Sequence, residues 1–325
     1  MKNKPVCFDV SYKHSEVFSG VPSFLGLPVI RQKDELGKHD FVIMGAPWEG
    51  VCTYGGATFV ENATKTIRIS SARYGSYLPE LDFDLFDHFS GADYGDAAVK
   101  NGDTDFTFQS VGNYLRDIVQ ASAIPIVFGG DHSLSYPLIT AFAEKYEGNI
   151  GIIQFDGHMD NMDKYGEEMY ARCCPFYRLY DMKGFNPKNL VSVGIRGPRN
   201  HFGSVKEAKK HGASVITSFE IKKEGPEKSV KKALDIALNG TKALYVSVCS
   251  DVLDIAHNPG GPADPCGLNT YELAVMLHQC GLAGAGGFDY MEIYPPKDFY
   301  NQSSHVACWM ALYMMSGMAQ AKLSN

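Results

Sequence analysis

Two aspartates and a histidine stand at alternating positions directly after an apolar run in residues 150–160, IGIIQFDGHMD. In an extended chain, side chains at positions i, i+2 and i+4 point to the same side. Asp156, His158 and Asp160 are therefore aimed at one point where a buried strand ends. Carboxylates that are withdrawn from water need a cation to offset their charge. The pattern indicates a metal site, and the alternative is a solvated acidic loop.

Two further apolar runs end in side chains of the types that bind metals. Residues 127–133, VFGGDHS, lead to His132, and residues 244–254, LYVSVCSDVLD, lead to Cys249 and Asp251. Open α/β sheets bind their ligands at the carboxyl ends of the strands. Three strand ends that carry ligand-type side chains predict a site for more than one metal ion.

Apolar segments of strand length alternate with segments of helical periodicity along most of the chain. Because the strands are continuously apolar, they are typical of a parallel sheet that is covered on both faces, which is an α/β fold. Residues 79–103 read as a loop with a short strand. We expect residues 1–38 to form an N-terminal extension that packs on a single domain of residues 39–325. The predicted strands are 41–45, 124–128, 151–155, 190–196, 213–216, 243–248 and 282–290, and the predicted helices are 61–73, 106–122, 135–146, 175–183, 206–211, 229–238, 271–280 and 304–321.

The composition excludes several classes of protein. The net charge is −7 with both signs mixed along the chain, which argues against a basic surface for nucleic acid. No apolar run reaches the roughly 20 residues that span a bilayer, and the N-terminus lacks the apolar segment of a signal peptide. Eight cysteines in 325 residues do not make a disulfide scaffold. We expect a cytoplasmic protein with a small-molecule substrate and neither a nucleic-acid nor a membrane partner.

The motifs resemble those of the ureohydrolase family, which includes arginases, agmatinases and formiminoglutamases. The family's Gly-Gly-Asp-His corresponds to residues 129–132, and its Asp-Ala-His-x-Asp corresponds to residues 156–160. Its Ser-x-Asp-x-Asp-x-x-Asp corresponds to residues 247–254. Weaker similarities follow in the same order at residues 195–197, 264–268 and 287–292, so that the resemblance runs from about residue 41 to the C-terminus.

The resemblance implies a three-layer α/β/α sandwich with a mostly parallel sheet of about eight strands. It also implies a homo-oligomer, usually a trimer or hexamer, and two manganese ions whose bridging hydroxide attacks a guanidino or amidino carbon. Two adjacent divalent ions suit this chemistry because they lower the pKa of water and stabilise the charge that develops. Position by position, the resemblance places His132 and Asp160 at one metal, His158 and Asp251 at the other, and Asp156 between them.

Cys249 departs from the family, which has a second bridging aspartate at this position. A thiolate can bind and bridge metals, but it favours zinc, nickel or iron over manganese. We predict that Cys249 is a ligand. The alternative is a small buried residue beside a weak or missing metal. The loop near residues 54–57 also departs from the family's sequence.

Two further departures fall on residues that contact substrate in the family. Arg172 stands where many members have a histidine that shuttles protons. An arginine stays protonated, but it can clamp a carboxylate or stabilise negative charge, so we predict an electrostatic role. Asp264 replaces the glutamate that holds the substrate guanidinium, and we predict that it positions the substrate. Asn161 and Asp163 are candidates for binding the substrate's polar tail, or alternatively for orienting Asp160.

Together these patterns predict a metal-dependent hydrolase that cleaves a linear C–N bond in a guanidino, amidino or related compound. One alternative is a non-catalytic or regulatory homologue with a degenerate metal site, which Cys249 and Arg172 favour. Another, compatible with the first, is a redox-sensitive enzyme that uses the cysteines near the site, namely Cys173, Cys174, Cys249 and Cys266.

Overall fold

The computed structural model describes residues 22–51, 53 and 56–324. Most of the predicted N-terminal extension, residues 1–21, lies outside the described residues, as does part of the divergent loop at 54–57. The strands are β1 Phe41–Ala46, β2 Tyr77–Leu78, β3 Phe83–Asp84, β4 Gly91–Asp96, β5 Ile124–Gly129, β6 Ile150–Phe155, β7 Leu190–Ile195, β8 Ser214–Thr217, β9 Ala243–Cys249 and β10 Gly287–Met291.

Ten α-helices accompany these strands in the described part of the chain. Within residues 22–51, 53 and 56–324, no helix is both long and apolar enough to span a membrane. The helices are α1 Ala63–Ser71, α2 Leu85–His88, α3 Thr104–Gln120, α4 Ser135–Glu144, α5 Pro175–Leu179, α6 Ser204–His211, α7 Ser218–Glu224, α8 Pro226–Ala237, α9 Thr270–Leu282 and α10 Gln302–Ser324.

Eight of the strands form one sheet in the order β4-β1-β5-β10-β9-β6-β7-β8, and every neighbouring pair is parallel. The strands β2 and β3 form a separate antiparallel pair. Helices α1, α2 and α7 to α10 pack on one face of the large sheet, and α3 to α6 pack on the other. The predicted three-layer α/β/α sandwich with about eight strands is confirmed.

The continuously apolar strands follow from this burial on both faces. In β1, Phe41 and Ile43 belong to the core on one side of the sheet, whereas Val42 and Met44 belong to the core on the other side. All four side chains are fully buried. Successive side chains of a strand point to opposite faces, so a strand between two layers of helices needs apolar residues at every position.

Several elements differ from the prediction. Within residues 79–103, where we expected a loop with a short strand, β4 pairs with β1 as an edge strand of the main sheet. Its sequence, GADYGD, offers no apolar run although its first four residues are buried, because glycine and the ion-paired Asp93 occupy buried positions. Strand β10 begins at Gly287, five residues later than predicted, and α7 was not predicted at all.

The described part of the predicted extension packs against the edge of the sheet. Asp93 of β4 accepts hydrogen bonds from the Phe24 amide, at 2.8 Å, and from the buried Arg68 guanidinium, at 2.8 and 2.9 Å. The Leu25 amide donates to Ser71 at 2.8 Å. These buried contacts attach the first described residues to α1 and β4.

Candidate metal centre

The candidate ligands lie at the carboxyl ends of three strands that the sheet order brings together. His132 follows β5, residues 156–160 follow β6, and Cys249 ends β9 with Asp251 just beyond it. The order β5-β10-β9-β6 places these strands side by side. Because neighbouring parallel strands end at the same edge of a sheet, segments that are far apart in the chain converge on one point.

The predicted ligands form two groups that share Asp156. In the first group, His132 Nδ1 lies 3.1 Å from Asp156 Oδ2 and 2.9 Å from Asp160 Oδ2. Cys249 also belongs to this group, because its sulfur and the ligand atoms of His132 and Asp156 all lie within 4.8 Å of one another.

In the second group, His158 Nδ1 lies 2.9 Å from Asp251 Oδ2 and 3.6 Å from Asp156 Oδ1. Asp156 therefore presents one carboxylate oxygen to each group. The structure brings all six predicted ligands together and gives Asp156 the orientation that a bridging ligand needs.

This donor set fits a pair of divalent cations. All three ligand carboxylates and both ligand histidines are buried or nearly so. A buried anionic cluster needs a neutralising charge. Histidine nitrogen, carboxylate oxygen and thiolate sulfur together suit first-row transition metals.

Hydrogen bonds between the ligand side chains control their charges. Burial lowers the pKa of His132, but its hydrogen bonds to the carboxylates of Asp156 and Asp160 outweigh this effect and raise the pKa well above its usual value. Burial likewise opposes protonation of His158, yet Asp251 and Asp156 raise its pKa. Burial and the charge of Asp156 raise the pKa of Asp160 to about 7. Protons thus balance the carboxylates in the absence of metal.

Cys249 is protonated under the same conditions. Burial raises the pKa of its thiol well above the usual value, and the charges of Asp251 and Asp156 add to this effect. A thiol in such surroundings becomes a thiolate only when a cation binds to it.

Neighbouring groups fix the orientation of Asp156 and Asp251. Gln154, buried within β6, donates to Asp156 Oδ2 at 2.8 Å, and the His158 amide donates to Asp156 Oδ1 at 2.6 Å. The Gly157 amide donates to Asp251 Oδ1 at 2.9 Å. Each of these carboxylates is held before any metal binds.

Two residues at the site have left-handed backbone conformations, Asp160 with φ 41° and Glu292 with φ 67°. Residues with a side chain rarely adopt this region, and such strain concentrates at functional sites. Asp160 and Glu292 both line the cavity, so the strained backbone conformations occur where functional side chains are placed.

A cavity of about 240 Å³ opens beside the ligands. It exposes part of both ligand groups, so a small molecule bound in it would contact metal ions held there. Its lining residues away from the ligands come mainly from the loops after β6 and β7, and they include Arg172, Cys173, Arg199, His201, Glu292 and Tyr294.

Arg172 lies on the cavity wall within a group of buried acids. Its Nη1 is 3.0 Å from Glu292 Oε2 and 3.1 Å from the Tyr294 hydroxyl, and its Nη2 is 3.3 Å from Glu49 and 3.8 Å from Asp131. The Arg172 guanidinium thus balances carboxylates that would otherwise be buried without a counterion.

Asp264 lies behind the predicted ligand His158 and does not line the cavity. Its Oδ2 is 3.2 Å from His158 Nε2 and 2.6 Å from Arg199 Nη1. A carboxylate on the second nitrogen of a ligating histidine fixes the ring's orientation, so the position of Asp264 suits that task.

The two other predicted substrate-binding residues lie at different depths. Asn161 lines the cavity wall and is buried, and its amide nitrogen donates to the Tyr180 hydroxyl at 3.1 Å and to the Ser204 carbonyl at 2.9 Å. Asp163 is exposed, pairs with Arg178 and lines an adjoining cavity.

Sequence reasoning gave no role to several residues around the site. Glu49, Arg199 and Tyr294 left no recognisable pattern because their contacts come from distant loops. Gln154 and Ser247 could have been found, since each is a polar residue inside an otherwise apolar strand. A polar side chain at such a position is buried and must have a partner.

Of the cysteines in the redox hypothesis, Cys173 lines the cavity, and its sulfur is 3.9 Å from that of Cys174. Cys266 is exposed. Redox sensitivity stays a prediction.

The sequence profile of the arginase family matches residues 39–317. The formimidoylglutamase of Halalkalibacterium halodurans is 32% identical over 284 residues, which are 85% of this chain and 86% of that protein. The solved structure of proclavaminate amidinohydrolase from Streptomyces clavuligerus superposes with a TM-score of 0.85 at 27% identity and covers 94% of this chain and 99% of that one. The structure of Trypanosoma cruzi formiminoglutamase with Mn²⁺ has the same fold, with a TM-score of 0.81 at 22% identity over 92% of this chain and 99% of that one.

Proposed function

This chain belongs to the arginase family, and we propose that it hydrolyses a linear C–N bond in a guanidino, amidino or related compound. The observation that carries the proposal is the pair of ligand groups that share Asp156 beside an open cavity. Bound divalent cations would supply the activation of water and the stabilisation of developing negative charge that this hydrolysis requires.

The proposed ligands are His132, Asp160 and Cys249 in one group and His158 and Asp251 in the other, with Asp156 in both. Manganese is the proposed metal on the basis of the family, and Cys249 also admits zinc, nickel or iron.

The chain's own residues prepare the cavity for substrate. We assign Arg172 an electrostatic role on the wall, where it fixes Glu292 and Tyr294 in place through hydrogen bonds of 3.0 and 3.1 Å. Asp264 positions the substrate indirectly, because it holds both the metal ligand His158 and the wall residue Arg199. Asn161 donates hydrogen bonds to the Tyr180 hydroxyl and the Ser204 carbonyl, which fix its own part of the cavity wall.

The wall of the cavity away from the ligands favours a substrate with an anionic tail. Arg199 and His201 line this part of the wall. The acidic residues of the lining are the ligands Asp160 and Asp251 and the Arg172 partner Glu292. We propose that the guanidinium of Arg199, which also pairs with Asp264 at 2.6 Å, contacts the unreactive end of the substrate there. Asp163, beyond this wall, belongs to the proposed substrate-binding set only through the adjoining cavity.

The first experiment measures bound metal by inductively coupled plasma mass spectrometry, together with the release of urea from guanidines, or of formamide from a formimidoyl compound, across a panel of compounds. The panel pairs 4-guanidinobutanoate with agmatine, which differ in the charge of the tail, and adds N-formimidoylglutamate. We expect about two metal ions per chain, by analogy with two-metal hydrolases, and faster turnover of the carboxylates. Replacement R199M should raise KM for the carboxylates more than KM for agmatine, although it also removes a partner of Asp264. Two bound metals without turnover of any compound would contradict the proposal.

A non-catalytic homologue is the second candidate. Cys249 replaces a carboxylate with a thiol whose pKa burial raises well above its usual value, and this favours incomplete metal loading. One bound ion or none, with no turnover across the panel, is the result expected of such a protein. We also propose a homo-oligomer, a trimer or hexamer, which light scattering after size-exclusion chromatography tests.

A further inference from the structure

The ligand His132 leads away from the metal site through a chain of buried hydrogen bonds. Its Nε2 lies 3.1 Å from Ser247 Oγ, and Ser247 Oγ lies 2.7 Å from Asp289 Oδ1. All three side chains are completely inaccessible to solvent. Neither Ser247 nor Asp289 has a role in the proposed hydrolysis.

The sheet itself builds this chain. Ser247 of β9 and Asp289 of β10 are register partners in neighbouring parallel strands, so their side chains leave the same face side by side. Ser135, at the start of α4, also donates to Asp289, at 3.1 and 3.2 Å. A charged side chain in the middle of a buried sheet needs such partners.

The direction of the hydrogen bonds follows from the chemistry of the groups. An ionised carboxylate only accepts, so the Ser247 hydroxyl donates its single hydrogen to Asp289. The Ser247 oxygen then accepts from His132, whose proton must be on Nε2. Burial raises the pKa of Asp289 to about 6, which leaves this carboxyl mainly ionised at neutral pH.

We propose that Asp289, acting through Ser247, is a positioning residue that holds His132 as its Nε2–H tautomer and so directs the lone pair of Nδ1 to the metal. This inference rests on the proposed function, since it assumes that His132 binds a metal ion. Its counterpart on the other histidine is the direct contact between Asp264 and His158 Nε2. The two histidines are thus oriented differently, one by direct contact with a carboxylate and one by a buried relay.

The test compares variants of equal size at position 247. Threonine and valine have the same shape, but only threonine keeps the hydroxyl. We expect S247T to bind divalent metal with nearly the affinity of the wild type and S247V to bind one of the two ions about 10- to 100-fold more weakly, as loss of such an orienting contact does elsewhere. Variant D289N should have an effect of similar size. Competition with a chromogenic chelator, with Mn²⁺ and Zn²⁺ in turn, gives the affinities.

Two further measurements separate a relay from a merely structural role. In the double variant S247V/D289N, the loss should match that of the single variants because both changes interrupt one chain. In ¹⁵N-histidine spectra of the zinc-loaded protein, the Nε2–H signal of His132, assigned with H132N, should persist in S247T and be lost or shifted in S247V. Variant S135A removes a side chain that contacts both Ser247 and Asp289 but not His132. Its affinity should stay close to that of the wild type, because the bonds from His132 to Ser247 and from Ser247 to Asp289 remain.

Wild-type affinity in S247V, an equal loss in S247T and S247V, or losses that multiply in the double variant would each overturn the relay. If the wild-type protein binds no divalent metal, both the relay and the proposed function fail. If it binds two ions but hydrolyses nothing in the panel, the proposed function fails while the affinities still decide the relay.

Discussion

Arg172 and Glu292 form an ion pair inside the cavity wall, with Nη1 3.0 Å from Oε2 and both side chains almost fully buried. Burial raises the pKa of Glu292, whereas the charge of Arg172 lowers it. On balance the pKa of Glu292 stays above its usual value, so the guanidinium offsets only part of the effect of burial.

Replacement R172M should destabilise the protein by about 3–5 kcal/mol, because removal of one partner leaves a buried charge uncompensated. Addition of E292Q in the same chain should recover part of this loss. Urea denaturation measures both effects. The control K231M breaks the exposed pair between Lys231 and Asp235, and its stability should barely change. Equal losses of unfolding free energy in R172M and K231M would show that the buried ion pair contributes no more to stability than the exposed one.

Variant D156N should lose both metal ions and all turnover, because Asp156 offers one oxygen to each ligand group. The asparagine keeps the shape of the side chain but not the charge that binds cations. Metal analysis and turnover on the same preparation check this expectation. The control D235N changes an exposed carboxylate on α8 and should keep both properties. Turnover in D156N that equals that of the wild type would exclude the proposed centre.

Cys249 should give the cobalt-loaded protein an intense near-ultraviolet charge-transfer band, because a metal-bound thiolate transfers charge to Co²⁺. The band should disappear in C249S and remain in C266S, since Cys266 is exposed outside both ligand groups. Variant C249D should shift the metal preference from zinc towards manganese. A cobalt spectrum that is identical in the wild type and C249S would mean that the sulfur is not a ligand.

Variant D93A should lower the free energy of unfolding by about 3–5 kcal/mol, because it leaves the buried guanidinium of Arg68 with one partner fewer. It also removes the acceptor of the Phe24 amide, so limited proteolysis should cut residues 22–38 earlier than in the wild type. The control K33M removes an exposed pair with Asp117 in the same segment and should cause little change. If K33M is also cleaved early, the early cleavage does not result from loss of the buried contacts of Asp93.

The fold was predictable because most strands are buried on both faces and leave continuous apolar runs in the sequence. The ligands could be located because Asp156, His158 and Asp160 alternate directly after such a run. A short strand was expected within residues 79–103, but the bounds of β4 and its place in the main sheet could not be predicted, because Gly91, Asp93 and Gly95 interrupt any apolar run. A continuous apolar run therefore locates a strand that is buried on both faces, whereas a strand without such a run cannot be bounded from the sequence.

The contacts of Asp264 could not be predicted, because they depend on how a distant loop is folded. Buried Arg196 donates to the carbonyls of Asp251, Leu253, Asp264 and Pro265 at 2.7 to 3.0 Å. These bonds bring the loop against His158. The sequence of residues 251–265 contains no pattern that predicts the conformation of this loop, because the conformation depends on the distant side chain of Arg196.

The short pairing of residues 28–30 with β4 has a consequence for solubility. The Asp93 amide donates to the Pro28 carbonyl at 2.9 Å, and the Ile30 amide donates to the Asp93 carbonyl at 3.0 Å. These bonds occupy backbone groups on the outer side of an edge strand, which would otherwise be a template for pairing with another chain. At the opposite edge, β8 has only four residues and runs directly into α7. The sheet thus limits its own growth at both ends, and a chain shortened past Ile30 should form intermolecular aggregates.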